Sequence, residues 1–395
     1  MRKLLLASAA MTLAAGAVAA QDEVTIGIIL GFTGPLESTT PGMAAGAELA
    51  IAEVNEAGNF LDGTVVNSVR SDSTCVDAAA AQAAAEGQVT SDGISAIMGA
   101  DCSGVTGAIL QNVARPHGIG MISPSATSPA FSTVEDDGLF FRTSPSDARQ
   151  GEVLTDMMRE RGYNEIAISY TNNDYGKGLA DSIEAAFVAA GGTVTLSSPH
   201  EDGKADYSAE VAALASAGGE LLVVAGYIDQ GGRGIIQASV DSGAFDTFVL
   251  PDGMYGESII DNIGDAMNGS FGEVPGSDSE GTDIFFEMAE AAGFDGSGAF
   301  AAQSYDAAAL IMLAMAKAGS TDSRSWTEHV MDLANAPGEP ILPGELGKAL
   351  DLIAEGVDID YVGASAVELV GQGESAGSFR EYNIEDGQIV TVGFR

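Results

Sequence analysis

The order of apolar and helical patterns predicts an α/β protein made of two doubly wound, parallel-sheet lobes. Three observations carry that reading. Strand-like apolar runs alternate with helical patterns through most of the chain, as in sheets covered on both faces. About 375 residues remain after an N-terminal leader, more than one hydrophobic core usually serves. The strand–helix pattern also starts afresh near Gln150, after a polar stretch at 142–147 that contains Pro145 and marks a first crossing between units.

In the first unit the strands are expected at 24–30, 65–70, 94–98 and 119–122. Helices are expected at 42–57, 77–89 and 104–115. The second unit runs helix 150–161, strand 165–170, helix 176–190 and strand 193–196. It continues with helix 207–217, strand 221–225, helix 231–242 and strand 245–250. A Gly- and Ser-rich segment at 269–281 then leads into helices at 282–292, 299–318, 325–335 and 345–355, which need a sheet to cover. The tail at 378–394 alternates like a strand pair around Glu385-Asp386-Gly387, a hairpin signal.

The first twenty residues place Arg2 and Lys3 before an apolar run from Leu4 and end in small residues, Ala17, Ala19 and Ala20. That is the pattern of a cleaved secretory signal peptide, with no Cys at the cut for a lipid anchor. A periplasm-like destination is expected. The only cysteines, Cys75 and Cys102, would then meet an oxidising compartment and are expected to pair, the alternative being two buried free thiols. A formal net charge of -41, with 57 acidic against 16 scattered basic residues, argues against nucleic acid and anionic membranes as partners. Such acidity reads as a solvated surface and is silent on the charge of a ligand.

Open doubly wound sheets bind ligands beyond the carboxyl ends of their strands. The loops that follow the third and fourth strands, 99–104 and 123–129, are rich in hydroxyls and free backbone N–H groups. Such loops can hold a carboxylate with charge-assisted hydrogen bonds, although a Ser/Thr/Pro loop taken alone is more often a capped turn.

Eight segments in order bear a resemblance to the bacterial leucine/isoleucine/valine-binding protein family: IGIILGFTGPL (26–36), GADCSGVTGA (99–108), ISPSATSPAF (122–131) and FFRTSPSDARQG (140–151), then YTNNDYGKGLADS (170–182), GGELLVVAGYIDQ (218–230), FVLPDGM (248–254) and FAAQSYDAAALIMLAMAKAG (300–319). The resemblance covers nearly the whole chain after the leader. It implies the type I periplasmic binding fold, with lobe 1 formed by 21–143 plus 273–364 and lobe 2 by 144–272 plus 365–395, joined by a hinge of three crossings. It also implies a monomer that captures an amino acid or similar ligand, closes over it, and delivers it to an ABC transporter permease.

The same resemblance assigns Ser103, Ser125, Ala126 and Thr127 to the ligand's carboxylate, and Asp252 to its ammonium group. Asp252 is one methylene shorter than the Glu usual there. Tyr175 and Tyr227 would cover the ligand from lobe 2, offering an apolar face and a hydroxyl. Leu36, Ser38, Thr39 and Tyr255 would build the side-chain pocket. Asp306 would either face the cleft or stabilise the start of its helix.

Other chemistry fails on the residues themselves. His117, His200 and His329 show no metal-ligand spacing. Gly176-Lys177-Gly178 lacks the rest of a phosphate loop, and Gly231-Gly232-Arg233-Gly234 is an incomplete dinucleotide fingerprint. No nucleophile elbow or Cys–His pair is present, so neither an enzyme, a metal nor a cofactor is expected. The rival readings keep the fold and change the role: a urea, amide or aromatic-acid binder, or a ligand sensor.

Overall fold

A computed structural model describes residues 22–395; the signal peptide expected over 1–20 lies outside the described residues. The chain folds into two lobes, each built on a seven-stranded sheet. In the first lobe the strands are β1 (Glu23–Leu30), β2 (Val65–Asp72), β3 (Ala96–Gly99), β4 (Met121–Ser123) and β5 (Phe140–Arg142). The second lobe contributes β6 (Glu165–Thr171), β7 (Thr193–His200), β8 (Leu221–Ala225), β9 (Phe248–Leu250) and β10 (Phe271–Pro275). Six more strands follow, the short β11 (Glu339–Ile341), β12 (Ile359–Tyr361), β13 (Leu369–Val370) and β14 (Glu374–Ser375) and the longer β15 (Phe379–Glu385) and β16 (Gln388–Phe394).

The spatial orders are β13-β14-β5-β4-β3-β1-β2 and β16-β15-β10-β9-β8-β6-β7, with β11 and β12 forming a small sheet of their own. Pairing is parallel except at β13–β14, β10–β15 and β15–β16. The all-buried run Leu221–Ala225 shows why: a strand covered on both faces needs no polar alternation. The C-terminal hairpin follows the reading of its turn, with Glu385 opposite Gln388 and positive φ at both Asp386 and Gly387, the conformation a two-residue primed turn requires.

Lobe 1 rests on the helix Ala301–Ala318, buried almost all round, which packs against the helix Thr40–Ala57. The two approach so closely that a Cβ on Gly46 would stand 2.3 Å from the Ala301 carbonyl oxygen. Any larger residue there would push the pair apart.

Two boundaries differ from those read in the sequence. β10 belongs to the second sheet although it includes Glu273–Pro275, and β13 and β14 belong to the first sheet although they lie past residue 365. The second crossing therefore follows Pro275 rather than residue 272, and the third follows Ser375 rather than residue 364. Gly and Ser around β10 dilute its apolar signal, and two-residue strands such as β13 carry no periodicity at all. Arg142 ends β5 rather than opening the first crossing. The helix expected at 325–335 is broken into Ser323–Trp326, a 3-10 turn at Thr327–His329 and Val330–Leu333.

Asp306 anchors the chain just before it returns to the first sheet. Its carboxylate accepts from Tyr361 Oη (2.7 Å), Ala364 N (2.7 Å), Ser365 N (2.8 Å) and Ser365 Oγ (2.5 Å), and it is fully buried. It is thus a structural brace inside lobe 1 and does not face the cleft. Burial outweighs these four hydrogen bonds and pushes its pKa up to about 6. A carboxyl raised in the folded state contributes its stability below the unfolded value and loses it as pH rises to about 6. Asp306→Ala should strand several buried donors and cost about 3 kcal/mol or more in urea denaturation, while flattening the pH dependence of stability over that interval.

Candidate functional site

The carboxyl ends of both sheets face one another, so the loops after β1, β3 and β4 meet those after β6, β8 and β9. Between them lies a cavity of about 20 Å³ lined by Leu36, Asp101, Cys102, Ser103, Ser125 and Phe300 from one side. Tyr175, Tyr227, Asp252 and Gly253 line it from the other. Such a volume is about that of one water, so the lobes stand closed and must part to admit a larger molecule.

The first-lobe wall is tied down from below. The Cys75–Cys102 disulfide joins the loops after β2 and β3. Asp101, buried between them, accepts from Gly31 N (2.9 Å) and Ser73 Oγ (3.0 Å), while its backbone oxygen accepts from Ser125 Oγ (3.0 Å). Ser103 Oγ accepts from Ser128 N at 3.1 Å, which leaves the Ser103 hydroxyl proton free to donate to a ligand. Ala126 and Thr127, expected beside these two serines, stand one layer behind the cavity. Ala126 N donates to Ser123 Oγ (2.9 Å), and the Thr127 carbonyl accepts from Asp147 N (2.9 Å).

The whole loop is held by Arg142, which sequence reasoning left without a role. Its guanidinium donates to the carbonyl oxygens of Ala126 and Ser128 (both 2.9 Å), to Ser132 Oγ (3.1 Å) and to Glu374. It is 1% exposed. A lone Arg at the end of an apolar Phe-Phe run was the one available signal, because a buried guanidinium must find acceptors.

On the second lobe Tyr175 and Tyr227 stack, ring centroids 5.1 Å apart. Tyr175 Oη donates to Asp252 Oδ1 at 2.5 Å, and the same oxygen accepts from Gly253 N at 2.7 Å. Burial raises the Asp252 pKa against these bonds, and burial with the nearby carboxylates pushes both phenols well above the usual range. The second lobe thus offers a buried acceptor flanked by two neutral phenols.

Leu36 lines the cavity as expected, but Ser38, Thr39 and Tyr255 do not. Ser38 and Thr39 lie past the turn that carries Leu36, at the start of the first helix. Tyr255 turns away to stack edge-on against Tyr382, under Arg380. Ser38 serves closure instead: its N–H donates to Asp229 Oδ2 (2.9 Å), and Asp229 N donates to the Pro35 carbonyl (3.1 Å). Ser258 Oγ holds the other Asp229 oxygen (2.9 Å). This latch joins the lobes at the rim of the cleft. Asp229→Ala should therefore speed ligand release about fivefold in a stopped-flow displacement assay, since one hydrogen bond that exists only when closed is lost.

Residues 23–334 match the family model described as "Periplasmic binding protein". The chain belongs to that family. Among periplasmic binding proteins it is similar to the leucine-, isoleucine-, valine-, threonine- and alanine-binding protein of Pseudomonas aeruginosa. The two are 29% identical over 312 residues, 78% of this chain and 82% of that one. Leu/Ile/Val-binding protein homolog 1 of Brucella suis is 29% identical over 87% of this chain and 95% of its own. A third relative, Leu/Ile/Val-binding protein homolog 3 of Brucella melitensis, is 32% identical over 58% of this chain and 61% of its own. The fold matches the crystal structure of a leucine-binding protein from Thermotoga maritima with a TM-score of 0.79 at 21% identity, covering 94% of this chain and 98% of that one. It matches a solute-binding protein of R. palustris in complex with 4-hydroxybenzoate with a TM-score of 0.78 at 18% identity, over 95% and 97%. The two-lobed periplasmic binding fold expected from the sequence is the fold of this chain.

Proposed function

We propose that this periplasmic binding protein captures an amino acid between its lobes, performs no chemistry on it, and presents the closed form to the permease of an ABC transporter. The observation that carries this reading is the polarity of the cleft: the Ser103 hydroxyl, whose proton is free, and the Ser125 hydroxyl, which would turn from the Asp101 carbonyl to a ligand, lie across one cavity from the carboxylate Asp252 on the other lobe. A zwitterion complements both walls at once, its carboxylate on the serines and its ammonium on Asp252. The tyrosines would cover its carbon skeleton. Docking on the first lobe followed by hinge closure fits the small cavity and the rim latch. The protein acts as a monomer, and its leader directs it to the periplasm, where the Cys75–Cys102 disulfide persists.

A thermal-shift screen of the mature protein against amino acids, amides, ureas and aromatic acids tests the reading, because a tight ligand raises apparent stability by mass action. Stabilisation by one or more α-amino acids is expected. Stabilisation by aromatic acids alone would overturn it, since those ligands bring no cation to Asp252.

A further inference from the structure

Asp252 does not stand alone. Behind it, on the second-lobe side, lie Asp147 at the start of the helix Asp147–Glu160 and Glu273 on β10, both fully buried. Gln150, one turn on from Asp147, donates its amide to Glu273 Oε1 at 2.7 Å. Neither oxygen of Asp147 has a hydrogen-bond partner among the described residues, nor has Glu273 Oε2, Gln150 Oε1 or the Thr127 hydroxyl oxygen. The Thr127 hydroxyl faces Asp147 without reaching hydrogen-bond geometry.

The set is rich in acceptors and poor in donors. Buried polar atoms are normally paired, and an unpaired buried carboxylate is among the costliest groups a fold can hold. The charged groups around the cluster do not resolve this. Arg142 faces Asp147 but is engaged by Glu374 and by the carbonyls of Ala126 and Ser128. Tyr175 faces Asp147 and Asp252, and Tyr382 faces Glu273 and Asp252, donating its own proton to the Leu250 carbonyl (3.0 Å). Asp147 and Glu273 are both raised well above the usual carboxylate range, by burial first and then by Asp252.

We propose that the natural ligand is an amino acid whose side chain carries a second positive charge, an ammonium or guanidinium that reaches past Asp252 to Asp147 and Glu273. The inference rests on the amino-acid reading above and names the ligand class of that same site. An organic cation fits better than a metal ion, because a metal needs its oxygens gathered to one point. Among the described residues these three carboxyl groups bring no three ligand atoms within 4.8 Å of one another. A guanidinium or ammonium spreads several N–H donors over acceptors set apart in this way. A cation entering there would favour the charged form of acids whose pKa burial has raised, so capture should release protons.

Isothermal titration of the full mature chain with lysine, ornithine, arginine, leucine, valine and 1,4-diaminobutane tests this, with calcium and sodium chloride as separate titrants. The basic amino acids should bind about a hundredfold tighter than leucine, by the differential pairing of one buried charge. Heats measured in buffers of different ionisation enthalpy should show proton release with the basic ligands and none with leucine. Asp147→Asn, alone and with Glu273→Gln, should shrink the preference toward unity; because the proton release is read on the parent protein, the test survives if either variant fails to fold. Leucine binding as tightly as lysine, or no proton release, overturns the cationic ligand and leaves the amino-acid reading standing. Binding of the diamine with no amino acid supports the cationic site and overturns the amino-acid reading. Response to the inorganic cations alone overturns the organic ligand, and no binding by any titrant overturns both.

Discussion

Asp252→Ala is expected to weaken capture of an amino acid by about a hundredfold or more. Asp252 is 3% exposed and is the one carboxylate among the cavity's second-lobe residues. Its carboxylate is held by bonds from Tyr175 Oη and Gly253 N, which fix where the acceptor stands in the cleft. An alanine there would leave the ligand's ammonium buried without a partner, at about 3 to 5 kcal/mol. The comparison that isolates charge is Asp252→Asn, which keeps the shape and the bond from Tyr175 and should lose nearly as much. Isothermal titration gives the answer directly. Dissociation constants within about threefold of the parent for both variants would remove Asp252 from the ammonium site.

Arg142→Met should be the most damaging single change outside the cleft, costing about 3 to 5 kcal/mol of stability. Methionine fills part of the space but donates nothing. The carbonyls of Ala126 and Ser128 would lose their buried donor, and Glu374 would lose its cation. Because those carbonyls belong to the loop that carries Ser125, ligand affinity should fall together with stability. Urea denaturation measures the first effect and titration of the surviving folded protein the second. A loss below about 1 kcal/mol would mean that the loop is held by Asp101 and the disulfide instead.

The parts of this molecule that could be read from the chain are those with a local cause. Ten of the strands lie in or beside apolar, strand-like runs, two of them in the C-terminal hairpin that announces itself at Asp386-Gly387. Two-residue strands have no period, so β13 and β14 stayed hidden and with them the place of the third crossing. The cavity residues Ser103, Ser125, Tyr175, Tyr227 and Asp252 could be found because the segments that carry them resemble those of the leucine/isoleucine/valine-binding family. Ala126 and Thr127 occupy the same loop yet stand behind it, since which residue of a turn points inward depends on backbone dihedrals that no motif spells out. Asp229, Asp147 and Glu273 were beyond reach for a different reason, and Arg142 offered only its place at the end of an apolar run. Their importance comes from partners far off in sequence, such as Glu374 for Arg142 and Ser38 for Asp229. Acidic residues are so abundant here that no single one draws notice on composition.

The rim contact between the lobes is unevenly vulnerable to drift. On the first lobe it uses only the carbonyl of residue 35 and the N–H of residue 38, groups that almost any side chain leaves intact, a proline at 38 excepted. On the second lobe its side-chain contribution comes from Asp229. Homologues could thus retune how long cargo is retained by exchanging that one position, leaving the recognition surface untouched.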